Sequence, residues 1–217
     1  IVNNYHKHIW QSRVGNNLSP VECWQNKELL MQAIKNRVIY SSTLSSQAIA
    51  AGFNICKIAP KVSVFNPMLA KHIVKSYLSD YETVFDPFSG FSGRMLGACA
   101  CGKNYIGQDI NEIHVKESNE IINKLKLNAV ISQKNIFESA GEYDCLFTCS
   151  PYGLKEIWNE HETNKSCDEW IDECLTRFKC KRYVFVVDKT EKYKDKIVEE
   201  ISNKSHFSNA KEYIIVI

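Results

Sequence analysis

The sequence predicts an α/β domain whose mainly parallel sheet carries helices on both faces, preceded by an N-terminal helical extension. Three observations carry that expectation. From about residue 82 short apolar runs alternate with longer amphipathic segments, the pattern of strands joined by crossover helices. Several runs, RYVFVVD among them, are apolar at successive positions, as strands buried on both faces are. Before residue 82 the apolar spacing is helical instead.

Taken in order, Pro20–Tyr40 reads as one helix, with Trp24, Leu29, Leu30, Ala33, Ile34 and Val38 on its apolar stripe. Ser41–Ser46 is a polar break, and Pro67–Tyr77 is a second helix with proline in its first turn. Glu82–Asp86 is the first strand, followed by a glycine loop and a helix near Arg94–Cys101. Asn104–Asp109 is the second strand, and Val115–Leu127 a helix with Val115, Ile121, Ile122 and Leu125 on one side. Val130–Ile136, Tyr143–Thr148 and Arg182–Asp188 read as strands three to five. Lys192–Ser202 has a helical period, and Lys211–Ile217 closes the chain as a strand. We place the boundary between the extension, 1–60, and the α/β domain, 61–217, ahead of that second helix. No internal repeat or low-complexity tract interrupts this order.

Composition is that of a globular protein: 44% hydrophobic, 24% charged. A chain of 217 residues is long enough to bury a sizeable core. Its 27 basic and 25 acidic residues leave a formal net charge of +2, so no whole-molecule basic field marks a polyanionic partner. Nothing approaches a membrane-spanning run. Nine cysteines are many, but the chain length and the odd count favour reduced thiols in a cytoplasmic protein over a disulfide scaffold. Cys99-x-Cys101 is too tight for zinc, and Cys167, Cys174 and Cys180 match no paired-ligand spacing, so no metal is expected.

The chemistry concentrates in Asp86-Pro87-Phe88-Ser89-Gly90-Phe91-Ser92-Gly93. A strand ending in an acid, a turn with two glycines and then a helix make a nucleotide-type cradle, since glycine admits a ligand close to the backbone. The spacing is neither that of dinucleotide enzymes nor a Walker loop. Asp109 ends the next strand, where an acid can accept from two ribose hydroxyls or can cap the following helix. Asn135 closes the third strand, and either reads an adenine edge or is a turn residue.

DPFSGFSGRMLGA resembles the cofactor loop of the DNA amino-methyltransferases, which use S-adenosylmethionine to methylate N6 of adenine or N4 of cytosine. FNPMLAKHIV resembles the segment that in this family precedes the loop, YIGQDIN the ribose-binding strand end, and TCSPYG the catalytic (D/N/S)-P-P-(Y/F/W) tetrad. The resemblance covers residues 62–217 and implies a Rossmann-like methyltransferase fold. It implies cofactor contacts at Phe65, Asp86, Pro87, Phe88, Ser89, Gly90, Gly93, Asp109, Ile110, Asn135 and Ile136, and catalysis at Cys149, Ser150, Pro151 and Tyr152. It also implies a DNA partner, a bacterial or phage-type cytoplasmic setting of the restriction-modification kind, and a target-recognition domain or subunit.

The tetrad has a chemical purpose. An exocyclic amine is a poor nucleophile because its lone pair is delocalised into the ring; acceptors on its two hydrogens favour a more tetrahedral nitrogen, aligned with the methyl donor. An aromatic face, here Tyr152, stacks on a base drawn out of its duplex, and the rigid Pro151 aims a carbonyl. This sequence departs from the pattern: Cys149 fills the acceptor slot and Ser150 the slot of the first proline, and a thiol is a weak acceptor. Main-chain carbonyls in its place, a register of Ser150-Pro151-Tyr152 one residue short, and an inactive site all stay open. So do transfer to RNA and a non-catalytic subunit that binds cofactor or nucleic acid. For target recognition the sequence offers Lys7, His8, Arg13, Lys35 and Arg37 and the loop 155–181, or regions outside this chain.

Overall fold

A computed structural model describes residues 2–40, 44–60, 62, 64–151, 165–205 and 208–217. The described residues divide into two compact units, one of residues 7–60 and 62, the other of residues 2–6, 64–151 and 165–217. Helices α2 (Pro20–Gln25), α3 (Lys27–Tyr40) and α4 (Ser46–Ile55) belong to the smaller unit. Their shared core is Cys23, Ala33, Phe53 and Ala59, with Leu29 and Leu30 packed beside it.

Two expectations fail in this unit. The helix read over Pro20–Tyr40 breaks at Asn26, whose side chain accepts from the Glu28 and Leu29 amides at 3.1 and 3.2 Å and so starts a new helix. Trp24 and Val38 lie off the buried stripe, 43% and 58% exposed. Helix α4, which the sequence reading missed, opens where Ser45 caps the Ala48 amide. Arg13, offered above for target recognition, is paired with Glu22.

The larger unit is a seven-stranded sheet among the described residues, in the order β3-β2-β1-β4-β5-β7-β6. The strands are β1 (Thr83–Asp86), β2 (Asn104–Asp109), β3 (Ala129–Gln133), β4 (Gly141–Cys149), β5 (Phe178–Val187), β6 (Ile197–Ser205) and β7 (Ser208–Val216). The first five run parallel; β7 joins β5 antiparallel, and β6 pairs antiparallel with β7. The helices are α1 (Val2–Tyr5), α5 (Pro67–Tyr77), α6 (Gly93–Cys99), α7 (Glu112–Leu125) and α8 (Cys167–Arg177). On one face Ile73, Met95 and Ile121 of α5–α7 pack on Val84, Tyr105, Phe147 and Val186. On the other, Trp170, Ile171 and Cys174 of α8 pack on Phe85, Leu146, Phe185 and Val187. This is the Rossmann-like methyltransferase fold, and its strand order reverses between β1 and β4, where open α/β sheets bind ligands.

Two further expectations are corrected here. Lys192–Ser202 is not a helix: after a short 3-10 turn at Lys194–Lys196, β6 pairs with β7, with Glu200 opposite Tyr213. The pairing to a strand already bound to β5 outweighs the local spacing. The third strand ends at Gln133, so Asn135 lies beyond it and caps the turn Ile136–Glu138. No helix among the described residues is long and apolar enough to cross a membrane.

Candidate active site

The loop 87–92 leaves the carboxyl end of β1 and is fastened at three successive amides. Phe88 donates to Asp86 Oδ1 at 3.0 Å, Ser89 to the Gln108 carbonyl at 2.8 Å, and Gly90 to Asp109 Oδ2 at 2.8 Å. Gly90 holds φ +53°, a left-handed conformation that favours glycine. Gly93 begins α6 directly against the Phe65 carbonyl, so the Phe65–Pro67 segment lies on the loop. The Phe65 ring meets Phe147 edge-on at 5.8 Å and has the Arg94 guanidinium over it at 5.2 Å.

Asp86 is fully buried, and its carboxylate is filled by the chain. Thr148 Oγ1 and the Phe88 amide donate to Oδ1 at 2.6 and 3.0 Å; Arg94 Nε and the Tyr105 hydroxyl donate to Oδ2 at 2.6 and 2.7 Å. Arg94 also donates to the Phe88 carbonyl. Burial works against the Arg94 charge, but Asp86, with smaller help from Cys149 and Tyr105, outweighs it and holds the guanidinium above its ordinary range. Burial, then the Asp86 charge, keeps the Tyr105 hydroxyl protonated. Arg94, Tyr105 and Thr148 were missed from sequence. An arginine directly after Gly93, opening an otherwise apolar helix, was the available signal.

Asp109 does not cap α7. Asn111 does, accepting from the Ile113 and His114 amides at 2.9 and 3.3 Å. Asp109 is half-buried at the end of β2 and accepts from Gly90 and, at 2.8 Å, from the Asn111 amide. Its carboxylate therefore sits beside the loop with acceptor capacity left over. Ile110 is half-buried next to it, and Ile136 is buried in the cluster that holds Phe85 and Trp170. Asn135 Oδ1 accepts from the Phe137 amide at 3.0 Å, a turn role. Pro87 is buried, and Phe88 turns its ring into the core against Trp170 at 5.1 Å. Ser89 Oγ and Gln108 Oε1 are buried without a hydrogen-bond partner among the described residues. A polar ligand on the loop would satisfy such atoms, so the donor and acceptor set fits a nucleoside-bearing cofactor.

Across the switch point, β4 delivers Cys149, Ser150 and Pro151 to the same edge of the sheet. Cys149 is half-buried against the α5–α7 core, whereas Ser150 is buried, its Oγ without a hydrogen-bond partner among the described residues. Tyr152, the expected stacking residue, lies outside the described residues, as do residues 155–164 of the expected recognition loop. All nine cysteines stand as thiols, and among the described residues no group of His, Cys, Asp or Glu is arranged to hold a metal.

A second feature missed from sequence lies behind the loop. Ser92 has φ +62° without being glycine, a strain of order 1–3 kcal/mol. It is held by His6 Nε2 at 2.8 Å and Ser118 Oγ at 2.7 Å, while His6 Nδ1 meets Glu117 at 3.1 Å. Burial lowers the His6 pKa from 6.5 more than Glu117 and Asp109 raise it, and His114 adds to the lowering. The unfolded chain therefore protonates first, so stability present above pH 6.5 is lost as pH falls toward the folded-state pKa. Urea unfolding between about pH 7.5 and pH 5 then shows a fall in stability that is shallower in His6→Gln. Parallel curves for the two proteins would refute this role.

No protein-family model matches the sequence, and no curated protein matches it significantly. Solved structures do. A magnesium protoporphyrin IX methyltransferase from Synechocystis, with bound S-adenosylmethionine, is similar at TM-score 0.53 and 12% identity, over 84% of this chain and 88% of that one. A putative RNA methyltransferase from Pyrococcus horikoshii is similar at 0.52 and 13%, over 69% and 82%. A tRNA (uracil-54, C5)-methyltransferase from Pyrococcus abyssi, in complex with S-adenosyl-L-homocysteine, is similar at 0.51 and 19%, over 73% of this chain and 41% of that one. At such identities the likeness shows the fold.

Proposed function

We propose that this chain binds S-adenosylmethionine on the 86–93 loop and transfers its methyl group to an exocyclic amino nitrogen of a DNA base, N6 of adenine or N4 of cytosine. The observation that carries the proposal is Asp109: released from capping α7, it stands at the end of β2, tied to the loop through Gly90. Its carboxylate is offered to ribose hydroxyls, with Ile110, Asn135 and Ile136 around the adenine and Phe65 at the methionine end. Ser89 and Gln108 supply the buried polar partners that a ligand satisfies. The contribution of Asp86 is indirect, since it organises the loop and Arg94 rather than offering a lone pair to the ligand. Once bound, the cofactor supplies an electrophilic sulfonium methyl. The exit of β4 at Ser150 and Pro151 is offered to the acceptor base, and target recognition rests on a further domain or partner.

Transfer to RNA is the second reading, favoured by the two RNA- or tRNA-modifying proteins among the similar structures. A cofactor-binding subunit without transferase activity is the third, favoured by the irregular Cys149-Ser150 pair. Incubation with tritiated S-adenosylmethionine and either genomic DNA or total RNA, followed by nucleoside analysis, separates the three. We expect label in N6-methyladenine or N4-methylcytosine of DNA. Label in RNA alone selects the second reading. Tight cofactor binding without label in either polymer selects the third.

A further inference from the structure

The acceptor slot of the tetrad holds Cys149, yet the proposed reaction needs a group that draws on the amine hydrogens and removes a proton. An acid, Asp188, stands just past the end of the neighbouring strand, β5. β4 and β5 are parallel with Cys149 opposite Val186, so two residues further on Pro151 and Asp188 are abreast at the carboxyl edge of the sheet. This edge adjoins the switch point between β1 and β4, on the side away from β2, and open α/β sheets bind ligands outside the carboxyl ends of their strands. Asp188 is only half-buried there.

The carboxylate is also held in place. Cys167 Sγ, at the start of α8, donates to Asp188 Oδ1 at 3.4 Å, and burial followed by the Asp188 charge keeps that thiol protonated. The loop after Asp188 is fastened to α8 as well. Asp168 accepts from Thr190 Oγ1, the Glu191 amide and the Lys192 amide at 2.5, 3.0 and 3.1 Å, and the Tyr193 hydroxyl donates to Asp172 at 2.5 Å. A carboxylate fixed on both sides is preorganised to receive developing positive charge at little further cost.

We propose that Asp188 is the catalytic acceptor for the target amine, filling the role that the Cys149 position does not. The inference rests on the amine-methylation reading above. Asp188 accepts one amine hydrogen and favours the tetrahedral nitrogen. The nitrogen lone pair then forms the N–C bond to the methyl carbon as the C–S bond breaks, its electron pair staying on sulfur. The positive charge passes from sulfonium to the new ammonium, whose proton moves to the Asp188 carboxylate and on to solvent. Cys167 is a positioning residue in this scheme, and Cys149 a packing residue against the α5–α7 core.

The test has a binding arm and a transfer arm. In the first, anisotropy compares single-stranded DNA and RNA oligomers with the same oligomers carrying N6,N6-dimethyladenine and N4,N4-dimethylcytosine, without cofactor. Wild type prefers the amine-bearing oligomer by on the order of tenfold, the worth of one hydrogen bond to a charged group, and Asp188→Ala abolishes the preference. In the second, Asp188→Asn lowers kcat by at least about 100-fold, leaves S-adenosylhomocysteine affinity within about twofold, and Asp188→Glu recovers part of the loss. Retained preference in Asp188→Ala, or an Asp188→Asn rate near that of wild type, overturns the assignment while methylation stands. No label transfer and no amine preference in the wild type overturn both.

Discussion

Asp86→Ala lowers the unfolding free energy by about 3–5 kcal/mol, the cost of removing one partner from a buried charge pair. The magnitude follows from what is left behind. Arg94 keeps only its bond to the Phe88 carbonyl, its charge stays buried, and Tyr105 and Thr148 hold hydroxyls with no acceptor. The Phe88 amide loses its partner too, so the first of the three loop fastenings opens. Against a total stability of roughly 5–15 kcal/mol, the substitution brings the domain close to its threshold. The cause is the uncompensated charge rather than lost packing, which a double-mutant cycle separates. Arg94→Met alone strands the Asp86 carboxylate in the same way, whereas Asp86→Leu with Arg94→Met removes both charges and costs much less than the two single changes added. Chemical denaturation of the three variants measures this, and additivity within about 0.5 kcal/mol would show that the pair is not coupled.

That hub also marks the limit of what the sequence reveals. Strand β2 and helix α5 were legible to the residue, because each carries a local signal at one end: a proline in the first turn of Pro67–Tyr77, an acid at the end of Asn104–Asp109. The turn after β1 and the place of Asp109 at the end of β2 were legible for the same reason, since glycine and terminal acids are local signals. The partners of Asp86 were not. Arg94 is 8 residues away in sequence, Tyr105 is 19 and Thr148 is 62, and only the closing of β1 between β2 and β4 brings them together. Long-range pairing likewise decided Lys192–Ser202, whose spacing is helical but whose backbone from Ile197 onward is paired with β7. Asp188 shows the other side of this limit. It was visible only as the end of a strand, and its position beside Pro151 depends on a register that periodicity does not give.

Gly93→Ala impairs cofactor binding by a different physical route, and the contrast with Gly90→Ala isolates it. A Cβ at Gly93 would fall 2.0 Å from the Phe65 carbonyl oxygen and 2.9 Å from its carbonyl carbon. These are backbone atoms, so no side-chain rotation relieves the overlap, and the Phe65–Pro67 segment must move off the loop. That movement breaks the Phe65–Phe147 edge contact and withdraws the ring from Arg94. Overpacking of this kind costs typically 1–3 kcal/mol and occasionally more, and here it falls on the segment we propose for the methionine end of the cofactor. Gly90 is the reverse case. A Cβ there meets only the Phe88 carbonyl oxygen at 3.8 Å, but the residue sits at φ +53°, so the cost is conformational and of order 1 kcal/mol. Calorimetric titration with S-adenosylhomocysteine, paired with thermal unfolding, therefore separates the two: Gly93→Ala loses on the order of tenfold or more in affinity, and Gly90→Ala loses chiefly stability. Equal affinity for Gly93→Ala and wild type would detach the Phe65 segment from the cofactor site, and leave Asp109 and the loop amides as its whole frame.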